Sequence, residues 1–174
     1  MAGRTSQRTD FERVVQIVSD AGGRIVGRTK LQKIAYLLEA TGLGEGFSFQ
    51  YRHYGPYSED LTFAARSAKL LKVLNEEEHS TTWGGSYSIY SVPNVAPGTP
   101  VRTRVAKLAA AADPIELELA ATAAFLAAEG QSDPWDETAR RKPEKASPPR
   151  LKGAKDLYGK LQAIATPKRL PEIV

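Results

Sequence analysis

Apolar positions recur at intervals of three and four residues in three early segments, which is the spacing of one helical face. The first stripe follows a capping box at 9–12 and ends before Gly22. The second follows the capping-box pattern at 29–32 and ends at Gly42. The third begins after Ser58, whose hydroxyl can cap a helix. We therefore predict three helices that share one core, formed by Leu31, Ile34, Leu38, Phe49, Leu61 and Ala65.

Strand-like alternation of aromatic and polar residues occurs at 47–53, and Gly55-Pro56 is expected to end this strand. The segments 72–74 and 87–91 predict a β-hairpin with a long, mobile tip between them. We expect these strands to form one small antiparallel sheet. Three helices followed by a hairpin is an order close to that of a winged helix, in which the third helix reads DNA and the hairpin is the wing.

The second half of the chain is predicted to be helical. Helix-start signals occur at Asp113-Pro114 and Asp133-Pro134, and an amphipathic stripe covers 151–164 after a loop at 142–150. The fold class is therefore predicted as α+β and mostly helical. The predicted organisation is a disordered tail (1–8), a winged-helix-like core with a small antiparallel sheet (9–92), a linker (93–100) and a helical C-terminal part packing on the core (101–174).

The composition is that of an ordinary globular protein, with 41% hydrophobic and 25% charged residues. The chain has no cysteine, which excludes disulfides, thiolate metal sites and cysteine nucleophiles. No apolar run reaches the roughly 18 residues of a membrane span, so we expect a cytoplasmic protein without membrane contact. His53 and His79 are the only histidines, and no nucleophile, phosphate-loop or metal motif is present. We expect no enzymatic activity, no metal and no cofactor.

Two motifs carry a resemblance to a known family. They are GRTKLQKIAY at 27–36 and HYGPYSEDL at 53–61, with Phe49 between them. These motifs resemble the YwgA-type family of small, uncharacterised bacterial proteins and, more distantly, the Panacea domain of SocA-like antitoxins. The resemblance covers residues 10–92. It implies a bacterial cytoplasmic protein without known catalysis, with a protein partner such as a toxin that it neutralises or delivers.

The segment around the Gly-Pro turn is the candidate partner-binding site. Arg52, His53, Tyr54 and Tyr57 would form an exposed aromatic and basic cluster, which suits docking of a peptide or stacking on a base. The alternative is that the tyrosines are half-buried packing residues with solvated hydroxyls. The predicted function is a non-enzymatic protein-interaction module, antitoxin-like or adaptor-like.

Basic residues are concentrated late in the chain. The net charge is +4, and 140–169 contains ten Lys or Arg residues against two acids. Such a segment can attract nucleic acid, and we expect that binding to be weak and without sequence preference. Acids at Glu59 and Asp60 begin the third helix and would repel phosphates. The alternative function is a winged-helix DNA-binding transcriptional regulator with contacts from Arg28, Lys30, Lys33, Arg66, Lys69, Arg140, Arg141 and Lys142.

Overall fold

A computed structural model describes residues 9–173 and confirms a mostly helical α+β fold with a small antiparallel sheet. The described helices are α1 Asp10–Asp20, α2 Arg28–Ala40, α3 Glu59–Leu70, α4 Pro100–Ala111, α5 Pro114–Ala128, α6 Pro134–Arg141 and α7 Pro148–Gln162. The strands are β1 Arg24–Val26, β2 Gln50–Arg52, β3 Gly55–Tyr57, β4 Asn75–Ser80 and β5 Ser86–Ser91. The predicted disordered tail at 1–8 lies outside the described residues.

The starts of α1 and α3 follow their predicted caps, whereas that of α2 does not. At α3 the backbone N–H of Leu61 donates to the Ser58 hydroxyl at 3.2 Å, as the sequence predicted. The predicted cap at Thr29 is wrong, since α2 already begins at Arg28 after Gly27. Gly27 has a φ of 104° and donates its N–H to the Ser88 carbonyl at 2.7 Å, so the chain turns directly from β1 into the helix.

The predicted single sheet made of the 47–53 strand and the late hairpin is wrong. β2 pairs with β3 in a separate two-stranded hairpin, in which Arg52 lies opposite Gly55. Gly55-Pro56 therefore starts the returning strand instead of ending the strand before it; Gly55 has a φ of 92°, which suits the turn. The three-stranded sheet has the order β1-β5-β4 and is antiparallel. Its edge strand β1 has only three residues, too few to show an alternation in the sequence.

The hairpin after α3 is confirmed, but its first strand lies later than predicted. β4 covers most of the segment that we expected to be a mobile tip, and only 81–85 joins it to β5. The acidic run forms a strand because its carboxylates have partners. Glu76 accepts from the Ser88 hydroxyl at 2.7 Å, and Arg28 contacts Glu76 and Glu78 at 3.2 and 2.7 Å.

One hydrophobic cluster runs through both halves of the chain, because α2 packs against α4 and α5 as well as under the sheet. The predicted core is confirmed at five positions, and Phe49 is half-buried against the same cluster. The predicted linker at 93–100, whose last residue already begins α4, is attached to α1, since the Asp20 carboxylate accepts from the Gly98 N–H at 2.6 Å. The last helix begins at Pro148, inside the predicted loop, because proline is compatible with a first helical turn.

Candidate functional site

Helix α3 presents two faces of different character. Its inner face is buried against α1 and consists of Leu61 and three alanines. Its outer face carries Phe63, Arg66 and Leu70, which follow at helical spacing and which we call the α3 face. Phe63 is 58% exposed and Leu70 is 77% exposed. The guanidinium of Arg66 lies 5.7 Å from the Phe63 ring centroid. The α3 face therefore combines apolar side chains with a positive charge.

A cleft of about 500 Å³ lies beside this helix, between α2, α3, the hairpin β2–β3 and the β4–β5 sheet. Apolar surface comes from Leu31, Ala65 and the ring of Tyr90. The cleft brings together six of the sequence-predicted site residues from both candidate sets, which are Arg28, Lys33, Tyr54, Tyr57, Arg66 and Lys69. It does not bring in Arg52, His53, Lys30, Arg140, Arg141 or Lys142.

The predicted partner-binding residues have different surroundings. Tyr54 is exposed, with the Lys145 ammonium 4.7 Å from its ring centroid. Tyr57 is half-buried, and its hydroxyl lies 2.8 Å from that of Thr62. Arg52 contacts Glu59 at 3.5 Å on the surface. His53 is exposed, and its backbone carbonyl accepts a hydrogen bond from Lys142 at 3.0 Å.

A buried lysine network holds the hairpin β2–β3 in place. The Lys33 ammonium donates to the Pro56 carbonyl at 2.7 Å, and that of Lys142 donates to the His53 carbonyl. Glu118 on α5 contacts Lys142 at 3.5 Å and Lys145 at 2.8 Å. The network therefore gathers three lysines around one carboxylate and fixes the turn and the returning strand of the hairpin.

Electrostatics in this network are dominated by burial. Lys33 is only 1% exposed, and the loss of water lowers its pKa to about 7. The carboxylate of Glu118 raises this pKa, while the neighbouring ammonium groups of Lys142 and Lys145 lower it. Burial also lowers the pKa of Lys142. An amine with a pKa near neutrality can be a nucleophile, but Lys33 is bonded to the Pro56 carbonyl and buried, so here it holds the hairpin.

The nucleic-acid candidates outside the cleft have charged groups that already bind partners within the protein. Lys30 donates to the carbonyls of Ala110 and Ala112 at the end of α4, at 2.8 and 2.9 Å. Arg140 and Arg141 both bind the carboxylate of Glu137, at 2.5 and 2.7 Å. Lys142 is buried with its ammonium inside the protein. Of the eight predicted contacts, Arg66 and Lys69 are the two exposed basic residues on α3.

Sequence reasoning missed Gln32 and Glu118. Gln32 was assigned to a capping box, but its side-chain amide donates to the Ser58 carbonyl at 2.9 Å and accepts from the Ser58 N–H at 2.8 Å, which joins α2 to the start of α3. Glu118 could have been recognised from its surroundings, because it is flanked by Leu117 and Leu119 in the largely apolar helix α5 and is therefore expected to be buried with a partner.

Two kinds of feature are absent from the described residues. Within 9–173, no group of three or more His, Cys, Asp or Glu side chains is placed to hold a metal ion. None of the helices in this range combines the length and the apolar character needed to span a bilayer.

Comparison with known proteins gives a partial relationship. No family model matches the chain. A segment of 67 residues is 34% identical to the uncharacterized protein YwgA of Bacillus subtilis (strain 168). The matched segment is 38% of this chain and spans about 40% of the length of that relative. The more distant likeness to the Panacea domain stays a prediction. This partial match supports the resemblance to a YwgA-type family that was predicted from the sequence.

Proposed function

We propose that this chain is a non-enzymatic protein-interaction module of the bacterial cytoplasm, antitoxin-like or adaptor-like, which docks a partner protein on the α3 face. The observation that carries the proposal is the exposure of Phe63 and Leu70 on one side of a well-packed helix. Neighbouring Leu71 is also more than half exposed. Apolar side chains grouped in this way are typical of protein-docking sites.

The charge distribution on α3 favours a protein partner over DNA. Glu59 and Asp60 occupy the first turn, where a reading helix would approach the bases and phosphates. Arg66 lies between Phe63 and Leu70, and arginine and aromatic residues contribute strongly to protein interfaces. For an antitoxin-like role the partner is a toxin; for an adaptor-like role it is a protein that the module delivers.

A second candidate function is a winged-helix DNA-binding transcriptional regulator. It is favoured by the β4–β5 hairpin directly after α3 and by Arg66 and Lys69 on that helix. Trp83 at the hairpin tip is exposed and would suit a wing.

Site-specific photo-cross-linking in the native host distinguishes these functions. Benzoylphenylalanine placed at Phe63 should give a discrete adduct that protease destroys and nuclease leaves intact. The matched control places the same amino acid at Val95, an exposed apolar residue in the 93–100 segment, and should give no such adduct. A nuclease-sensitive adduct at position 63 would support the DNA-binding regulator instead. Equal adducts at both positions would show that the α3 face has no special role.

A further inference from the structure

The cleft beside α3 has a size and a lining that suit a ligand. Its volume of about 500 Å³ lies within the roughly 300–1,000 Å³ of typical ligand pockets. Its walls combine Leu31 and Ala65 with the rings of three tyrosines, so an apolar side chain that enters it would leave water on several sides. The cleft opens next to the α3 face, since Arg66 and Lys69 belong to its lining.

The charges around the cleft are unbalanced. The lining contains four basic residues and one acid, Glu76. Two of the four are already engaged, because Arg28 binds Glu76 and Glu78, and Lys33 donates to the Pro56 carbonyl. Within residues 9–173, no carboxylate lies at ion-pair distance from Arg66 or Lys69. These two exposed cations, one helical turn apart, can bind carboxylates of an occupant.

We infer that the cleft receives an acidic segment of the docked partner, with a large apolar side chain in the cleft and carboxylates on Arg66 and Lys69. The inference rests on the proposed function and specifies the partner's chemistry. A protein segment fits better than a nucleic acid because the apolar lining from Leu31 and Ala65 suits a large apolar side chain, which a sugar-phosphate backbone lacks. One segment could cover the cleft and the adjoining Phe63 together.

The test uses the purified full chain and a phage-displayed library of twelve-residue peptides. Peptides selected on the unchanged protein should be net acidic and contain an aromatic or large aliphatic residue. Synthetic labelled versions of these peptides are then titrated by fluorescence anisotropy. The double substitution Arg66→Glu/Lys69→Glu should weaken binding at least tenfold, and replacing the peptide's large apolar residue by serine should have a similar effect. Binding should also weaken as salt is raised from 50 to 500 mM, since exposed ion pairs are screened (about 10 Å Debye length at 0.1 M).

A matched control is available on α7. Lys152→Glu/Lys155→Glu makes the same charge change at the same spacing on another exposed helical surface, and it should leave peptide binding within twofold. Both double variants should melt within about 2 °C of the unchanged protein, as expected for surface substitutions. Selection of basic or uncharged peptides, no specific peptides at all, or equal loss in both double variants would overturn the inference. A protein adduct at Phe63 without acidic-peptide binding would refute the cleft proposal and leave the docking function standing.

Discussion

The ammonium of Lys33 donates a hydrogen bond to the carbonyl of Pro56 at 2.7 Å, and so joins the buried side of α2 to the strand that returns from the β2–β3 turn. Lys142 makes the corresponding bond to His53 at the turn itself. Because Tyr54 and Tyr57 lie between and beside these two anchors and line the cleft, the buried lysines determine the position of one cleft wall.

The low pKa of Lys33 predicts a specific dependence of stability on pH. In the unfolded chain this lysine titrates near 10.5, and in the folded protein near 7. Between these values the unfolded state binds more protons, so the free energy of unfolding should rise with pH. Below pH 7 the amine is protonated in both states, and its contribution should be constant. Chemical denaturation at intervals from pH 6 to 9 measures this slope.

The variant Lys33→Met should have a smaller slope over the same range, because it removes the titrating group. Part of the slope should remain, since burial lowers the pKa of Lys142 in the same network and Glu118 and Lys145 face both lysines. The control Lys152→Met, on the exposed surface of α7, should keep the full slope. If the free energy of unfolding of Lys33→Met depended on pH in the same way as that of the unchanged protein, burial of Lys33 would not be the source of the slope.

A second prediction concerns Gly55. It has a φ of 92°, and a Cβ atom there would lie 2.4 Å from the Thr122 hydroxyl oxygen. Gly84 has a similar φ of 88° but nothing within 4 Å of the corresponding position. Gly84→Ala should therefore cost about 1–2 kcal/mol of backbone strain. Gly55→Ala should cost about 1–3 kcal/mol more because of overpacking, measured by urea denaturation.

The substitution Thr122→Ala tests whether contact with Thr122 causes the additional loss of stability in Gly55→Ala. The Thr122 hydroxyl is buried without a hydrogen-bond partner in the described structure, so its removal sacrifices no hydrogen bond there. In the double variant Gly55→Ala/Thr122→Ala, the difference from Gly84→Ala should largely disappear. If the two single glycine variants prove equally stable, close packing of the turn on α5 is not what selects glycine at this position.

The sequence predicted the local features of this fold better than its long-range pairings. Ser58 caps α3 as expected because the bond to Leu61 is made within one helical turn. The sheet was mispredicted because β1 is a three-residue strand that depends on the distant β5, and because Gly55 reverses the chain instead of ending a strand.

The candidate site shows the same limit. Tyr54 and Tyr57 were recognised from their neighbours in the sequence, and Arg66 and Lys69 from their helix, but nothing local showed that they share a cleft. Lys142 was counted as a surface cation because it belongs to a basic segment, yet it is buried beside Glu118. Lys142 and Glu118 are 24 residues apart in the sequence, and their contact depends on how α5 and α6 pack. The pattern of charges along the chain does not reveal that packing.

A third prediction tests the attachment of the 93–100 segment to α1. Asp20 is fully buried, contacts Arg102 at 2.7 Å and accepts from the Gly98 N–H. Asp20→Ala would leave the buried guanidinium of Arg102 with one carboxylate fewer, and should cost about 3–5 kcal/mol. It should also speed proteolytic cleavage within 93–100. Asp20→Ala/Arg102→Met should be less destabilised than Asp20→Ala alone, because the buried guanidinium that Asp20 paired is then removed as well, although Glu45 loses its 3.2 Å contact with Arg102. If Asp20 and Arg102 instead acted independently, the losses in the free energy of unfolding from the two single substitutions would add in the double variant.

The last prediction concerns DNA. Arg140 and Arg141 already share the carboxylate of Glu137, and Lys142 is buried, so the predicted basic segment has fewer exposed, unpaired cations than its composition indicates. We expect weak binding to a labelled 20-base-pair duplex, equal for two unrelated sequences and steeply reduced between 50 and 200 mM salt, because the attraction comes from released counterions. Fluorescence anisotropy measures the affinity, the sequence preference and the salt dependence.

Two charge-reversal variants test whether α3 has a special role in this binding. We expect a similar reduction for Arg66→Glu/Lys69→Glu and for Lys152→Glu/Lys155→Glu, since each pair makes the same change in charge. If one duplex is bound with nanomolar affinity and only the α3 pair abolishes that preference, α3 reads DNA and the regulator function replaces the docking function.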